Sequence, residues 1–274
     1  MTSRIDLDGS AVTALLECAA REELLPRFRT LAAHQVFSKA TADDPTDVVT
    51  EADLAMEARL GPELEALLPG SVILGEEAVA KDPSLLALLS GDRPVWVLDP
   101  LDGTRNFAAG RDDFGVLLAL CDRGSVRWGF LHEPIQGRTF VAEAGSGAFL
   151  GGMRLRAPAT DRREPPSGMV ATRFMTAELR ECVEARAATL TQRIPQRLCA
   201  ASEYSRVLRG EMDFVLYWRL LPWDHLGCGL IVTEADGAAR HPDGSPCGVA
   251  DGVPGSLVTH DSERWDEVRG LLFG

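Results

Sequence analysis

The sequence predicts an α+β fold in which layers of helix cover two sheets. Helical and strand patterns come in runs rather than in strict alternation, which is the signature of segregated layers. Carboxylates stand directly after apolar runs or at the start of a helix at three places: Glu76-Glu77, Asp99 and Asp224. The chain has 274 residues, 45% of them hydrophobic and 25% charged. That is enough apolar material for a sizeable core without disulfides or a structural metal, and too much for disorder.

Each element follows from its local pattern. Val12, Leu15, Leu16, Ala19, Leu24, Leu25 and Phe28 recur at helical spacing and predict an amphipathic helix from Ser10 to about Ala33. A polar loop, Lys39 to Asp47, leads to a second helix from Thr50 to Leu68, closed by Pro69-Gly70. Ser71 to Gly75 reads as a short strand that delivers Glu76 and Glu77. A helix around Leu85 to Leu89 follows, and then an apolar run, Pro94 to Leu98, that delivers Asp99. Phe114 to Leu120, Val126 to Leu131 and Arg138 to Ala142 are strands joined by tight turns, an antiparallel meander. The second half reads as a strand at Met169 to Thr172, helices at Ala177 to Leu190 and Ala200 to Arg209, and a strand at Asp213 to Tyr217. A helix from Trp223 to Ala235, a strand at Ser256 to Thr259 and a closing helix from Glu263 to Leu272 complete it. The chain divides into halves, 1–157 and 168–274, joined by a connecting loop at 158–167, or forms one compact unit.

Forty-one acidic against 28 basic residues give a formal charge of −13. A nucleic-acid polymer is therefore not an expected partner, because the long-range field repels phosphate backbones. The six cysteines show no zinc-like spacing and read as thiols of a reducing compartment. Residues 1–10 carry no secretion-signal pattern, and no run approaches the roughly 20 apolar residues of a membrane span. A cytoplasmic location without a membrane partner is the expectation. Gly145-Ser146-Gly147 reads as a turn, and no organic cofactor motif is present.

The segment Asp99-Pro100-Leu101-Asp102-Gly103-Thr104 concentrates the chemistry. Two carboxylates flank a proline-restricted turn and converge on one point. At about 4 Å they would repel by about 4 kcal/mol at an effective dielectric near 20, so convergence demands protons or a cation. A hard divalent ion, magnesium before calcium, is the natural compensation. Gly103 allows close backbone approach, and its amide with that of Thr104 lies where phosphate could be received.

Together with Asp47 to Asp53, Gly75-Glu76-Glu77, Trp96 to Phe107 and Trp223-Asp224-His225, this segment resembles the inositol monophosphatase family of magnesium-dependent, lithium-sensitive phosphatases. The resemblance implies a layered α/β/α/β/α sandwich of the inositol monophosphatase and fructose-1,6-bisphosphatase type, with two or three Mg2+ per active site. It implies that Glu76, Asp99 and the Leu101 carbonyl hold one magnesium and that Asp99, Asp102 and Asp224 hold a second. It further implies that Thr104, oriented by Asp47 and near Glu76, positions and deprotonates the attacking water. The amides of Gly103 and Thr104 would bind phosphate, and Asp102, Ala200, Tyr217 and Asp224 would line the substrate site. The partner would be a small phosphorylated metabolite, and the assembly a homodimer.

The other residues of these motifs carry plainer readings. Asp53 reads as a cap or brace of the following helix, Lys39 as a solvated loop lysine and His132 as structural. His225 faces either substrate or the helix exterior, and Trp96 and Trp223 pack beneath the acids that follow them. The substrate wall departs from the family pattern: Leu198-Cys199-Ala200-Ala201 stands where a Gly-Ser/Thr-Ala-Ala run is usual, Tyr217 where a Glu is frequent, and Arg105 where a Thr or Ser is. Gly227-Cys228 and Asp236 are further departures. Myo-inositol 1-phosphate is the leading substrate. A nucleotide 3'-phosphate, fructose 1,6-bisphosphate and histidinol phosphate are the alternatives. A non-catalytic cation-binding module would predict loss of Glu76, Thr104 or Asp47, and all three are present.

Overall fold

The computed structural model describes residues 5–40, 44–156, 164–249 and 252–274. Helix α1 runs from Gly9 to Ala19, with Asp8 accepting from the Ser10 amide at 2.9 Å as its cap. It continues as one wide π-helical turn over Ala20–Leu24 and stops there, short of the expected Ala33. Pro26 is the reason, since it has no N–H to donate and its ring crowds the carbonyl four residues back. A hairpin of β1 (Val36–Ser38) and β2 (Val48–Thr50) then leads into α2 (Glu51–Leu67). Thr50 and Asp53 cap α2 reciprocally, the Thr50 amide donating to Asp53 Oδ2 at 2.8 Å.

The first large sheet follows. Strand β3 (Val72–Gly75) leads into α3 (Glu76–Lys81) and a 3₁₀ helix, Pro83–Ser90, which covers the helix expected around Leu85 to Leu89. Then come β4 (Val95–Asp102), the short α4 (Thr104–Ala108), and β5 (Gly115–Asp122), β6 (Ser125–Glu133), β7 (Arg138–Glu143), β8 (Gly147–Leu150) and β9 (Met153–Leu155). The strands lie in chain order, with β3 parallel to β4 and every later pair antiparallel. The predicted meander is therefore present and two strands longer. Strands β8 and β9 are short and glycine-flanked, which leaves too little apolar alternation to read.

Of the expected connection at 158–167, residues 158–163 lie outside the described residues, and Ser167 already belongs to β10 (Ser167–Val170). Helix α5 (Ala177–Leu190), β11 (Gln192–Arg193), α6 (Ala200–Leu208), β12 (Phe214–Tyr217), α7 (Pro222–Glu234), β13 (Ala238–Arg240), β14 (Ser256–Thr259) and α8 (Trp265–Phe273) complete the chain. The second sheet has the order β11-β10-β12-β14-β13.

Three apolar clusters define the layers. Val12, Leu16, Met56 and Leu60 of α1 and α2 pack on Trp96, Leu98 and Phe130 of the first sheet. Tyr204, Val207, Cys228 and Ile231 of α6 and α7 fill the space between Leu117 and Leu131 of the first sheet and Val215 and Val258 of the second. Val183, Ala187, Trp265 and Val268 of α5 and α8 cover the outer face of the second sheet. The result is the α/β/α/β/α sandwich that the sequence predicts.

Two local features aim this frame at a site. In β4 the register slips between Asp99, opposite Leu117, and Asp102, opposite Gly115. Three steps on β4 thus match two on β5, and the extra residue is a bulge at Pro100-Leu101. Residues three apart on a regular strand face opposite sides of the sheet; the bulge restores parity and turns both aspartates to one side. The segment read as a turn is in fact a bulged strand end. Helix α7 meanwhile lies directly on the sheet because Gly227 crosses β6 at Gly129, where an added Cβ on Gly129 would stand 2.3 Å from the Gly227 carbonyl oxygen.

Candidate active site

Glu76 is the first residue of α3, Asp99 and Asp102 stand at the bulged end of β4, and Asp224 lies in the first turn of α7. All four line one cavity of about 210 Å³. Burial pushes the Asp99 carboxyl well above the usual carboxylate range, and the charges of Glu76, Asp102 and Asp224 push it further. Asp224 is raised in the same way, by burial first and then by Asp102 and Glu76. Asp99 is close enough to share a proton with both Glu76 and Asp224. The structure thus brings together the four predicted acids, in a geometry that needs protons or a cation between them.

Each acid is held by a different device. Asp102 Oδ2 accepts from the Ala201 amide at 2.5 Å and from the Cys199 thiol at 3.0 Å, so the start of α6 grips it. Asp99 Oδ1 accepts from the Leu101 amide at 2.9 Å across the bulge. Glu76 meets the Lys39 ammonium through Oε1; Lys39 donates to Glu76 at 2.6 Å and to Glu77 at 2.7 Å. The Lys39 side chain is only 15% exposed, which corrects its reading as a solvated loop lysine. Burial pulls the ammonium's pKa down, but the two glutamates outweigh burial and hold it protonated.

These donors fit a hard divalent cation in kind: carboxylate oxygens, each made unfavourable in its charged form by the others. They do not yet form a closed cage. As the side chains stand, no three carboxylates, thiols or imidazoles among the described residues are gathered around one point as metal ligands. A cation taken up at Glu76 Oε1 would compete with Lys39 for it.

The hydroxyl of Thr104 is where the structure corrects the sequence reading most. Thr104 Oγ1 lies 2.9 Å from Asp53 Oδ1 and 2.9 Å from the Leu101 carbonyl. Asp53, not Asp47, is its carboxylate partner. Asp47 lines the cavity, but its carboxylate accepts from the adjacent Val48 amide at 3.0 Å and its carbonyl from the Lys39 amide at 2.9 Å. Asp53 is one helical turn into α2, which carries its side chain inward toward α4, whereas Asp47 precedes β2 and is committed to the hairpin. Burial raises Asp53 to about 7, against the hydrogen bonds from Thr50 and Thr104. The helix-cap pattern of Thr50 and Asp53 is real, and it concealed the second role of the same carboxylate, whose other oxygen remains for Thr104.

Opposite the acids lies the expected substrate wall. Ala200 and Tyr217 both line the cavity. The Tyr217 hydroxyl, however, donates to Glu203 Oε2 at 2.9 Å, and Glu203 Oε1 accepts from the Arg197 amide at 2.9 Å. Burial lifts Glu203 to about 7. Tyr217 was expected at the site, but its Glu203 partner could not be placed from sequence, because the bond joins α6 to β12. His225 faces inward, its Nδ1 3.2 Å from the Tyr204 hydroxyl and its ring 4.6 Å from that of Tyr217, and burial lowers it to about 4, so the imidazole is neutral. Cys199 lines the cavity, but its thiol is spent on Asp102 and is not offered to a substrate hydroxyl. Leu198 adopts a left-handed backbone, φ +57°, at a cost of about 1–2 kcal/mol, and is 52% exposed at the cavity. Arg105 Nη1 donates to Thr46 Oγ1 at 2.7 Å. His132 is buried against Thr139, a structural role as expected.

Buried, mutually opposed carboxylates beside a hydroxyl–carboxylate pair are a donor set of the kind that metal-dependent phosphoric monoester hydrolases use. Within that class, the chain belongs to the inositol monophosphatase family, whose profile matches residues 10–268. The fructose-1,6-bisphosphatase/inositol-1-monophosphatase of Thermotoga maritima is 34% identical over 192 residues, 70% of each chain. The inositol-1-monophosphatase of Bacillus subtilis is 25% identical over 249 residues, 90% of this chain and 89% of that one. Among solved structures, a Thermotoga maritima IMPase superposes with a TM-score of 0.79 at 27% identity, covering 96% of this chain and 95% of the other. The extragenic suppressor protein SuhB of Bartonella henselae shares the fold with the same score at 23% identity, covering 96% of this chain and 97% of that one. No helix among the described residues is long and apolar enough to cross a membrane.

Proposed function

We propose that this protein hydrolyses a small phosphorylated alcohol to the alcohol and inorganic phosphate in a magnesium-dependent reaction. The observation that carries the reading is the convergence of Glu76, Asp99, Asp102 and Asp224 on one cavity, each acid unfavourable without a cation. Glu76, Asp99 and the Leu101 carbonyl would hold one magnesium, and Asp99, Asp102 and Asp224 a second, with Asp99 shared. When bound, magnesium supplies Lewis-acid activation of a water and stabilises the charge that develops on the leaving oxygen. The chain's own residues do the rest. Thr104 Oγ1 receives the water's proton as it passes its own to Asp53 Oδ1, which sits near 7 and therefore takes and returns a proton at neutral pH. The amides of Gly103 and Thr104 bind the phosphate oxygens. Gly103 fits there at φ +84°, where a side chain would strike the Asp113 carbonyl at 2.7 Å.

Myo-inositol 1-phosphate is the reference ester, because relatives bearing the name inositol monophosphatase match over most of the chain. Fructose 1,6-bisphosphate stands beside it for the Thermotoga maritima relative. A homodimer in the cytoplasm completes the reading, and sedimentation checks the assembly. Phosphate release from a panel of esters should require magnesium and stop in EDTA. Undiminished turnover after exhaustive chelation would refute the reading.

A further inference from the structure

The wall that faces the alcohol has little left with which to bind hydroxyls. The Tyr217 hydroxyl is given to Glu203, the Cys199 thiol to Asp102, and the Gln196 amide to the Val170 carbonyl at 3.1 Å. Ala200, Leu198 and Phe174 present only carbon to the cavity. Among the described residues of that wall, one cation remains without an ion pair. Arg219, in the loop between β12 and α7, is exposed, lines the cavity and makes no ion pair among the described residues. Its guanidinium lies 4.2 Å from the centroid of the Phe174 ring, which carries Arg173 at 5.2 Å as well. Stacking on an aromatic face fixes a guanidinium while leaving its N–H edge open to a ligand.

The position of that cation decides what it reads. Its charge acts on the carboxylate of Asp224. Arg219 lines the same cavity as Ala200 and Tyr217, the wall expected to face the alcohol, whereas Lys39 is bonded to Glu76 and Glu77. A positive charge on that wall is placed to meet the body of the alcohol, while the amides proposed for the phosphate are those of Gly103 and Thr104. In a chain of net charge −13, an untied guanidinium stacked at a cavity mouth is also a local reversal of the prevailing field.

We infer that Arg219, braced on Phe174, is a specificity-determining subsite for a second anionic group on the substrate's alcohol, a carboxylate or a second phosphate. The inference rests on the phosphatase reading above and deepens it. The substrate class is then a phosphomonoester whose alcohol is itself an anion, in preference to one whose alcohol is a neutral polyol.

Two matched pairs of esters test it in magnesium: fructose 1,6-bisphosphate against fructose 1-phosphate, and 2-phosphoglycerate against glycerol 2-phosphate. The first pair differs by a second phosphate and the second by a carboxylate, so whichever pair shows the larger ratio identifies the anion. In the wild-type protein, kcat/KM should favour the doubly anionic member of at least one pair by about tenfold or more. Arg219→Met should erase that ratio through KM while leaving the singly anionic esters unchanged. Arg219→Lys should restore it in part, and Phe174→Leu, which removes the stacking face, should weaken it. An unchanged ratio in Arg219→Met, or a wild-type preference for the neutral-alcohol esters, overturns the inference and leaves the phosphatase intact. Absence of turnover for all four esters and for myo-inositol 1-phosphate would instead remove the reading on which it rests.

Discussion

At the scale of single residues, the structure assigns one proton to a place the sequence did not mark. Thr104 has one hydroxyl hydrogen and two acceptors at 2.9 Å, Asp53 Oδ1 and the Leu101 carbonyl. With Asp53 ionised the hydroxyl donates to the carboxylate; with Asp53 protonated it donates to the carbonyl. Burial raises Asp53 to about 7, which brings both arrangements within reach near neutral pH. Loss of a positioned proton acceptor of this kind costs about 10²–10⁴ in rate. Asp53→Asn should therefore lower kcat by that factor with magnesium present, and Asp47→Asn should change it by less than about tenfold on the same scale. Thr104→Ser should keep activity and Thr104→Val lose it. Steady-state kinetics on one ester suffice, and equal loss in the two aspartate variants would return the role to Asp47. The acids themselves were legible because each follows an apolar run that stops abruptly. Asp53 was not, since its spacing from Thr50 has a complete explanation as a helix cap, and a sequence does not display which of two oxygens a cap leaves unused. Lys39 was hidden for a related reason: nothing local distinguishes a loop lysine in water from one folded onto two glutamates 37 and 38 residues away.

At the scale of elements, the legible parts are those whose pattern is self-contained. The meander strands, α2, α5 and β14 lie within a residue or two of their predicted ends. Where a prediction fails, a contact across elements or a single proline accounts for it: Pro26 ends α1 early, and the β4 bulge shows only in its register against β5. The second sheet carries a buried fastening of the same hidden sort. Asp213 Oδ2 accepts from the Ser167 amide at 2.7 Å and its hydroxyl at 2.8 Å, while Oδ1 faces His260 at 3.2 Å and Arg264 at 3.5 Å. Burial would raise this carboxyl, but hydrogen bonds from His260 and Ser167 and the charge of Arg264 prevail and bring it down to about 2. A carboxyl with a folded-state value below its ordinary 3.8 contributes stability above that ordinary value, and the contribution disappears as pH falls from about 4 to about 2. The shift corresponds to about 2 kcal/mol at neutral pH. Asp213→Asn should thus lower the stability of the protein at pH 7 and converge with wild type near pH 2–3 under mild denaturant. A difference that stays constant down to pH 2 would mean that packing, not charge, sets the effect.

At the scale of the whole molecule, the four acids come from three separately packed pieces: the end of the first sheet, helix α3 beside it, and helix α7 between the sheets. Packing brings them together and electrostatics opposes it, so the cation-free fold stores repulsion at the junction of its layers. Lys39 and protons on the coupled carboxyls relieve that repulsion in part. Removing Lys39 strips the compensating charge from Glu76 and Glu77, and a buried charge left without its partner destabilises by up to about 3–5 kcal/mol, less where the acid takes up a proton instead. Lys39→Met should therefore lower the melting temperature in EDTA by several degrees, at about 2–4 °C per kcal/mol for a domain approaching this size. The same substitution frees Glu76, so magnesium should bind it more tightly than wild type and recover the loss. A ligand at 100 times its dissociation constant adds about 2.7 kcal/mol of stability to a protein that binds it only when folded. Asp99→Asn should show the opposite pattern, melting at least as high as wild type in EDTA because a neutral amide replaces an acid opposed by burial and by three neighbouring carboxylates, and gaining nothing from magnesium. Thermal melts of the three proteins with and without magnesium separate these outcomes. If Lys39→Met melts with wild type in EDTA, the ammonium is not the site's counter-charge. If Asp99→Asn still rises on adding magnesium, the cation binds elsewhere than among the four carboxylates.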